Sequence, residues 1–204
     1  GRKKVPCSLS STIKVEAPML FRHLADPDRP IKQNVKKFSI DEKSFIKTEV
    51  ERLLRLGLIR KSHSSWRSQV EVTKDPQKWN FKVNYSQTVN KRFSNGIVEM
   101  SSIEQNLENL RNYKFFARLN FQEWYHIVRL HPKDIEFTAF QADNRLFEYV
   151  YLPSGIPNSI ATFEHAMRSW IKLQKLPDVH MIRDQLIVRS EDGTRLNSSH
   201  SEIS

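Results

Sequence analysis

Hydrophobic residues recur along this chain with two periods, and the switches between them outline its elements. Ile46, Val50, Leu53 and Leu54 fall on one helical stripe. Ser39 and Glu42 ahead of the stripe have the spacing of a capping box, and Gly57 follows it, so the pattern predicts a helix. Val70 and Val72, then Trp79, Phe81, Val83 and Tyr85, alternate with polar neighbours, and Asp75-Pro76-Gln77-Lys78 supplies the turn of a β-hairpin. Ser101 and Glu104 repeat the capping spacing, and Ile103, Leu107 and Leu110 predict a second amphipathic helix leading into an apolar strand from Phe115 to Leu119.

Further on, Tyr125, Ile127 and Val128 with Leu130, the segment Phe137 to Phe140, and Leu146 to Leu152 read as short strands, with loops at Pro132-Lys133-Asp134 and Asp143-Asn144. A third helix starts near Asn158, buries Ile160, Phe163, Met167, Trp170 and Ile171, and ends before Pro177. The apolar stretch Val179 to Val188 is interrupted by Arg183-Asp184-Gln185, which predicts two strands meeting at a charged turn. Pro6, Pro18, Pro27 and Pro30 mark residues 1–37 as an extended basic arm, and residues 191–204 read as a polar, flexible tail. Helices and hairpins in this order place the chain in the α+β class.

Charge changes the picture of partners. Lysine and arginine number 33 against 23 acidic residues, a net +10 with a pI near 9.8, and residues 1–61 hold 15 basic and 7 acidic side chains. That balance favours a polyanion such as RNA or DNA. Cys7 is the single cysteine, which excludes an internal disulfide and fits a reducing, intracellular setting. No apolar run reaches the length of a membrane span, and none resembles a signal-peptide core, so no membrane partner is expected. His126, His131, His165 and His180 lack ligand spacing and read as structural or surface residues. Five glycines, no Walker loop and no nucleophile elbow argue against phosphate-cradling and hydrolase chemistry, so no cofactor, metal or small-molecule substrate is expected. Gly1 is an unusual natural start, which suggests a piece of a longer protein.

Several blocks carry a family resemblance. They are Asp26 to Gln33, Glu49 to Arg60 with Ser62, Ser65, Trp66 and Ser68, then Trp79 to Tyr85 and Phe115 to Leu130. Phe137 to Phe140, Leu152 to Phe163 and the hairpin around Arg183-Asp184 follow in order. Together the chain resembles the fingers and palm of reverse transcriptases of Ty3/gypsy-type retrotransposons bearing long terminal repeats. The resemblance implies a right-hand polymerase-like fold with an antiparallel palm sheet packed with helices, and with thumb and RNase H absent. Residues 38–100 would form the fingers with part of the palm interleaved, and residues 101–190 the palm.

The same resemblance locates a site and its erosion. Polymerases of this family hold two divalent metals on carboxylates, which neutralise the triphosphate and activate the primer hydroxyl. The three carboxylate positions fall on Asn120, Arg183 and Asp184, so one acid survives. An amide lacks the charge that Mg²⁺ requires, and a guanidinium cannot deprotonate. Arg183 is expected to pair with Asp184 or Glu123 in place of the lost ion. Gln122-Glu123-Trp124 replaces the family's Lys-Ser-Gly, with Trp124 crowding the nucleotide, while Tyr125 matches the sugar-gating aromatic but, without metals, reads better as a core aromatic of a strand. Asn80 replaces an arginine of the fingers, and Ser154 stands where the family places a larger residue over the incoming base.

Lys32, Lys36, Lys37, Arg60, Lys61, Arg67 and Lys74 are the candidate nucleic-acid contacts. The leading expectation is a domesticated, catalytically inactive pseudoenzyme that serves as a protein-interaction scaffold, with Trp124, Trp170 and Leu173 as candidate anchors. The alternative is a metal-independent RNA- or DNA-binding module using the inherited basic cleft.

Overall fold

The computed structural model describes residues 19–76, 78–93, 115–120, 127–183 and 185–190. The first helix, α1 (Ile40–Arg55), begins where its sequence says it should. Ser39 Oγ accepts from the Glu42 amide at 3.2 Å, and the Glu42 carboxylate accepts from the Ser39 amide at 2.8 Å. Two of the amides left free at the helix start are thereby satisfied. At the other end Gly57 adopts φ +68, and the Leu58 and Gly57 amides donate back to the Leu53 and Leu54 carbonyls, closing a Schellman ending. Ile46, Val50 and Leu53 are buried, as the stripe predicts.

Five strands form the larger sheet: β1 (Ile59–Lys61), β2 (Ser68–Asp75), β3 (Lys78–Asn84), β5 (Phe140–Ala142) and β6 (Arg145–Tyr149). Their order is β1-β6-β5-β2-β3. The β2–β3 hairpin aligns Asp75 with Lys78, and the β5–β6 hairpin turns through Asp143 and Asn144, both at positive φ. Positive φ at both central residues is what a two-residue hairpin needs, and Asn and Asp tolerate it best among residues with a side chain. One parallel pairing, Ser68 with Phe140, joins the two hairpins and makes the sheet mixed. Phe140, Phe147 and Tyr149 pack ring to ring at its centre, with centroids 5.3–6.0 Å apart.

A second sheet is antiparallel throughout, in the order β4 (Phe115–Asn120), β8 (Gln185–Ser190), β7 (Val179–Ile182). Helix α2 (Ser159–Leu173) packs against β7 and is fastened by Arg168, whose guanidinium bonds the Met181 carbonyl and the buried Glu164, each at 2.8 Å. Buried apolar residues from both sheets and both helices merge into one core.

The structure departs from the sequence pattern in several places. Pro132–Thr138, expected as a loop followed by a strand from Phe137, is one 3-10 helix, and the strand starts only at Phe140. His131 caps that helix by accepting from the Lys133 amide, and the Thr138 hydroxyl donates to the Ile135 carbonyl while accepting from the Tyr149 amide. These local bonds outweigh the strand preference of Phe137. Ile127 to Leu130 does not form a strand; an isolated bridge joins Arg129 to Tyr151. The strand expected through Leu152 stops at Tyr149. Ile160, expected in the core, is 38 % exposed, and Trp170 is only half-buried. The helix predicted around Ile103, Leu107 and Leu110 lies outside the described residues, as does Tyr125.

Candidate functional site

The smaller sheet brings the resemblance-derived positions to one end. Asn120, the last residue of β4, is the Cα partner of Gln185, the first of β8. Gln185 also faces Ile182 across the β7–β8 hairpin, whose two-residue connection opens with Arg183 at φ +56. Directly opposed antiparallel residues sit about 4.5–5.5 Å apart at Cα. The strand end at Asn120 and the turn at Arg183 therefore lie at the same end of the sheet. Arg183 is exposed, and both partners proposed for it, Asp184 and Glu123, lie outside the described residues together with Trp124 and Tyr125.

In the larger sheet Asn80 and Lys74 are engaged within the protein. Asn80 is half-buried and donates its amide to Asp75 Oδ2 at 2.7 Å, which closes the hairpin tip. Lys74 folds over the Trp79 ring with Nζ 5.0 Å from its centroid, and Phe45 of α1 stacks on the same ring at 5.6 Å. Contact with a cation and a second aromatic occupies the tryptophan that would otherwise offer a stacking surface.

Ser154 is exposed at the mouth of a small cleft lined by Glu49, Arg52, Phe81, Lys82 and Tyr149. The adjoining Gly155 has φ +88, and a Cβ there would meet the Val83 carbonyl at 3.4 Å, an ordinary contact, so it is the left-handed backbone rather than lack of space that calls for glycine. Asn90 holds the same turn by donating to the Gly155 carbonyl at 2.9 Å. Lys82 was not singled out in the sequence, and Arg52 reads there as one of a group of basic residues in the fingers region rather than as part of this cleft. The Glu49–Arg52 spacing, which gives a 2.7 Å ion pair, was the available signal.

The seven basic candidates are spread over several elements, with Lys32 and Arg67 brought together by a backbone bridge. Arg60 Nε bonds the buried carboxylate of Glu148 at 2.7 Å, where Ser62 Oγ also donates at 2.6 Å. Arg67 is half-buried and donates to the Gln33 carbonyl at 2.9 Å, and its backbone bridges to Lys32. Lys36 lies with Nζ 5.5 Å from the Phe38 ring centroid, and Lys32, Lys37 and Lys61 are exposed. β6 and β5 separate the Arg60–Lys61 edge from the hairpin that carries Lys74.

No protein-family model matches the chain. Relatives do. The Pol polyprotein of the transposon opus from Drosophila melanogaster is 24% identical over 187 residues, which cover 89% of this chain and 19% of the relative. The gypsy polyprotein of the same organism is 29% identical over 159 residues, 72% of this chain and 15% of the relative. The Tf2-3 transposon polyprotein of Schizosaccharomyces pombe is 26% identical over 70% of the chain and 11% of its own length. Native prototype foamy virus protease-reverse transcriptase superposes with a TM-score of 0.70 at 18% identity, over 93% of this chain and 25% of that one. Its relatives are Ty3/gypsy-type Pol polyproteins, and the domain is reverse-transcriptase-like.

This reverse-transcriptase-like domain spans a fifth or less of the curated relatives it matches. The resemblance expects metal-binding carboxylates at this sheet end, and two of the three positions it marks are Asn120 and Arg183. A neutral amide at 120 offers an oxygen but no negative charge, and a fixed cation at 183 offers neither. Among the described residues no three His, Cys, Asp or Glu side chains converge, and no helix is long and apolar enough to cross a membrane. Of the histidines noted in the sequence, His126 lies outside the described residues, His131 serves as a cap and His165 is exposed. Burial, with Arg189 and Arg168 nearby, holds the His180 imidazole below its usual pKa.

Proposed function

We propose that this chain is a fingers-and-palm domain of retrotransposon origin that no longer polymerises and serves as a protein-interaction scaffold within a larger assembly. One observation carries the first half of that reading. Across the β4–β8 ladder Asn120 meets Gln185, two residues beyond Arg183, so an amide and a guanidinium occupy the sheet end where the resemblance expects anions. Two-metal phosphoryl transfer depends on charge neutralisation that such a set cannot supply. The retained core supports the second half, since the fold persists around an altered site and presents apolar surface at Leu173.

Primer extension on an RNA template with Mg²⁺ or Mn²⁺ tests inactivity; product above the background of a heat-denatured sample overturns it. A pull-down of the full-length parent with and without nuclease tests the scaffold role. Protein partners that survive nuclease support it, and loss of every partner on nuclease treatment removes it.

A second reading is a metal-independent nucleic-acid module. It is favoured by exposed Lys32, Lys37 and Lys61 and by the foamy viral protease-reverse transcriptase of similar fold, which is known in complex with an RNA/DNA hybrid and with double-stranded DNA. Its signature would be affinity that falls steeply with salt. Negligible binding of RNA, DNA and hybrid at low salt excludes it.

A further inference from the structure

We infer that the C-terminal end of α2 is a docking site for an acidic, amphipathic segment of a partner protein, a proposal that rests on the scaffold reading. Leu173 is 70 % exposed and Leu176 is 38 % exposed. Helical spacing sets Leu173 beside Trp170, which is itself half-buried. Leu176 is positioned by the helix ending: its amide donates to the Ile171 carbonyl at 3.2 Å and the Lys175 amide to the Lys172 carbonyl at 3.1 Å. This is the ending that also closes α1, with one difference. In α1 the left-handed position is filled by Gly57, whereas here Lys175 adopts φ +53. A lysine is strained in that conformation where glycine is not. The strained ending thus keeps a cation beside the exposed leucines.

Lys172 and Lys175 are exposed, and among the described residues neither makes an ion pair; Asp178, further along, is engaged with Arg189 at 3.7 Å. An apolar centre with a cationic rim is complementary to leucine- or phenylalanine-bearing segments flanked by glutamate or aspartate. The same rim disfavours a second copy of this face, because it would oppose lysine to lysine. Exposed leucines have little to offer a phosphate backbone.

The test uses the 204-residue chain and a fluorescein-labelled designed peptide with leucine and phenylalanine on one helical face and glutamate on the other, read by anisotropy. Saturable binding is expected, at least tenfold weaker for a lysine-for-glutamate version and for a polyglutamate peptide. Leu173→Asp should abolish it and Lys172→Glu should weaken it severalfold, with circular dichroism unchanged. Lys175→Gly separates binding from folding: it should weaken the peptide severalfold while raising Tm. Equal affinity for acidic and basic peptides, or full affinity in Lys175→Gly, overturns the proposal. So does Leu173-dependent binding to phosphatidylserine vesicles, which assigns the face to lipid, or Leu173-dependent self-association in sedimentation, which assigns it to a second copy. The parent-protein pull-down keeps the two readings apart. Nuclease-resistant partners that persist in Leu173→Asp leave the scaffold standing and remove this site. Peptide binding without any such partner retains the site and removes the scaffold.

Discussion

The Leu20 amide donates to Oδ2 of Asp134 at 2.6 Å, and that carboxylate has no exposed surface. The bond joins residues far apart in sequence and fixes the segment at Leu20 to the 3-10 helix Pro132–Thr138. Phe21 beside it packs on Phe137 and Phe93, with ring centroids 5.2 and 5.8 Å apart. Burial holds the Asp134 carboxyl above its ordinary 3.8, against the opposing effects of the Leu20 amide and His131. A carboxyl raised in the folded state contributes stability when protonated, fully below about pH 4, and that contribution is lost as pH rises through the folded value. Stability relative to Asp134→Asn should therefore decline upward from pH 4, as read by urea unfolding across pH. Asp134→Ala should cost about 1–3 kcal/mol, because the Leu20 amide is left buried without its acceptor.

Arg60 illustrates a cation used for folding. Removing its guanidinium leaves the buried Glu148 carboxylate with Ser62 as its remaining described side-chain donor. Arg60→Met should lower stability by roughly 1–3 kcal/mol, whereas Lys61→Met on the same strand should be close to neutral. Chemical denaturation of the two variants side by side checks this; equal effects would mean that the ion pair contributes nothing.

Gly57→Ala isolates a backbone effect. No atom lies within 4 Å of the added methyl, so the cost comes from the left-handed conformation alone, about 1 kcal/mol. A fall in Tm of several degrees in calorimetry is the expected result, and an unchanged Tm would show that the ending rearranges without strain.

Restoring charge at the sheet end should restore ion affinity before it restores activity. Asn120→Asp with Arg183→Asp should bind Mn²⁺ measurably tighter than the natural chain in isothermal titration. Primer extension should stay low, because Gln122, Glu123 and Trp124 also differ from the resembled family. Indistinguishable Mn²⁺ affinity in the two proteins would contradict the electrostatic account of the proposed inactivity.

Local chemistry is what made much of this fold legible. The α1 caps, the Asp143-Asn144 turn and the break at Arg183 are each set by residues within a few positions of one another. Phe137 misled because its spacing imitates a strand, whereas the conformation is set partly by Thr138 bonding the Tyr149 amide, eleven residues on. Ile160 misled because nearly the whole N-terminal half of α2 is enclosed, so periodicity alone could not tell the one open side. Arg60 read as a phosphate contact because its partner, Glu148, lies 88 residues away. The sheet end formed by Asn120 and Arg183 was visible only through the family resemblance, since nothing local in either segment announces the other.

The place of β1 in the larger sheet carries a consequence for how the molecule is made. Ile59 to Lys61 find their ladder partners at Phe147 to Tyr149, and β2 finds its parallel neighbour at Phe140. On a ribosome these early segments emerge long before the residues that complete them. Their apolar faces wait, and a nascent chain stalled ahead of Phe140 would hold one hairpin with an open flank. Such non-local closure is slow and leaves unpaired edges exposed. The interval before Phe140 to Tyr149 emerge is then the one in which this domain is most exposed to aggregation.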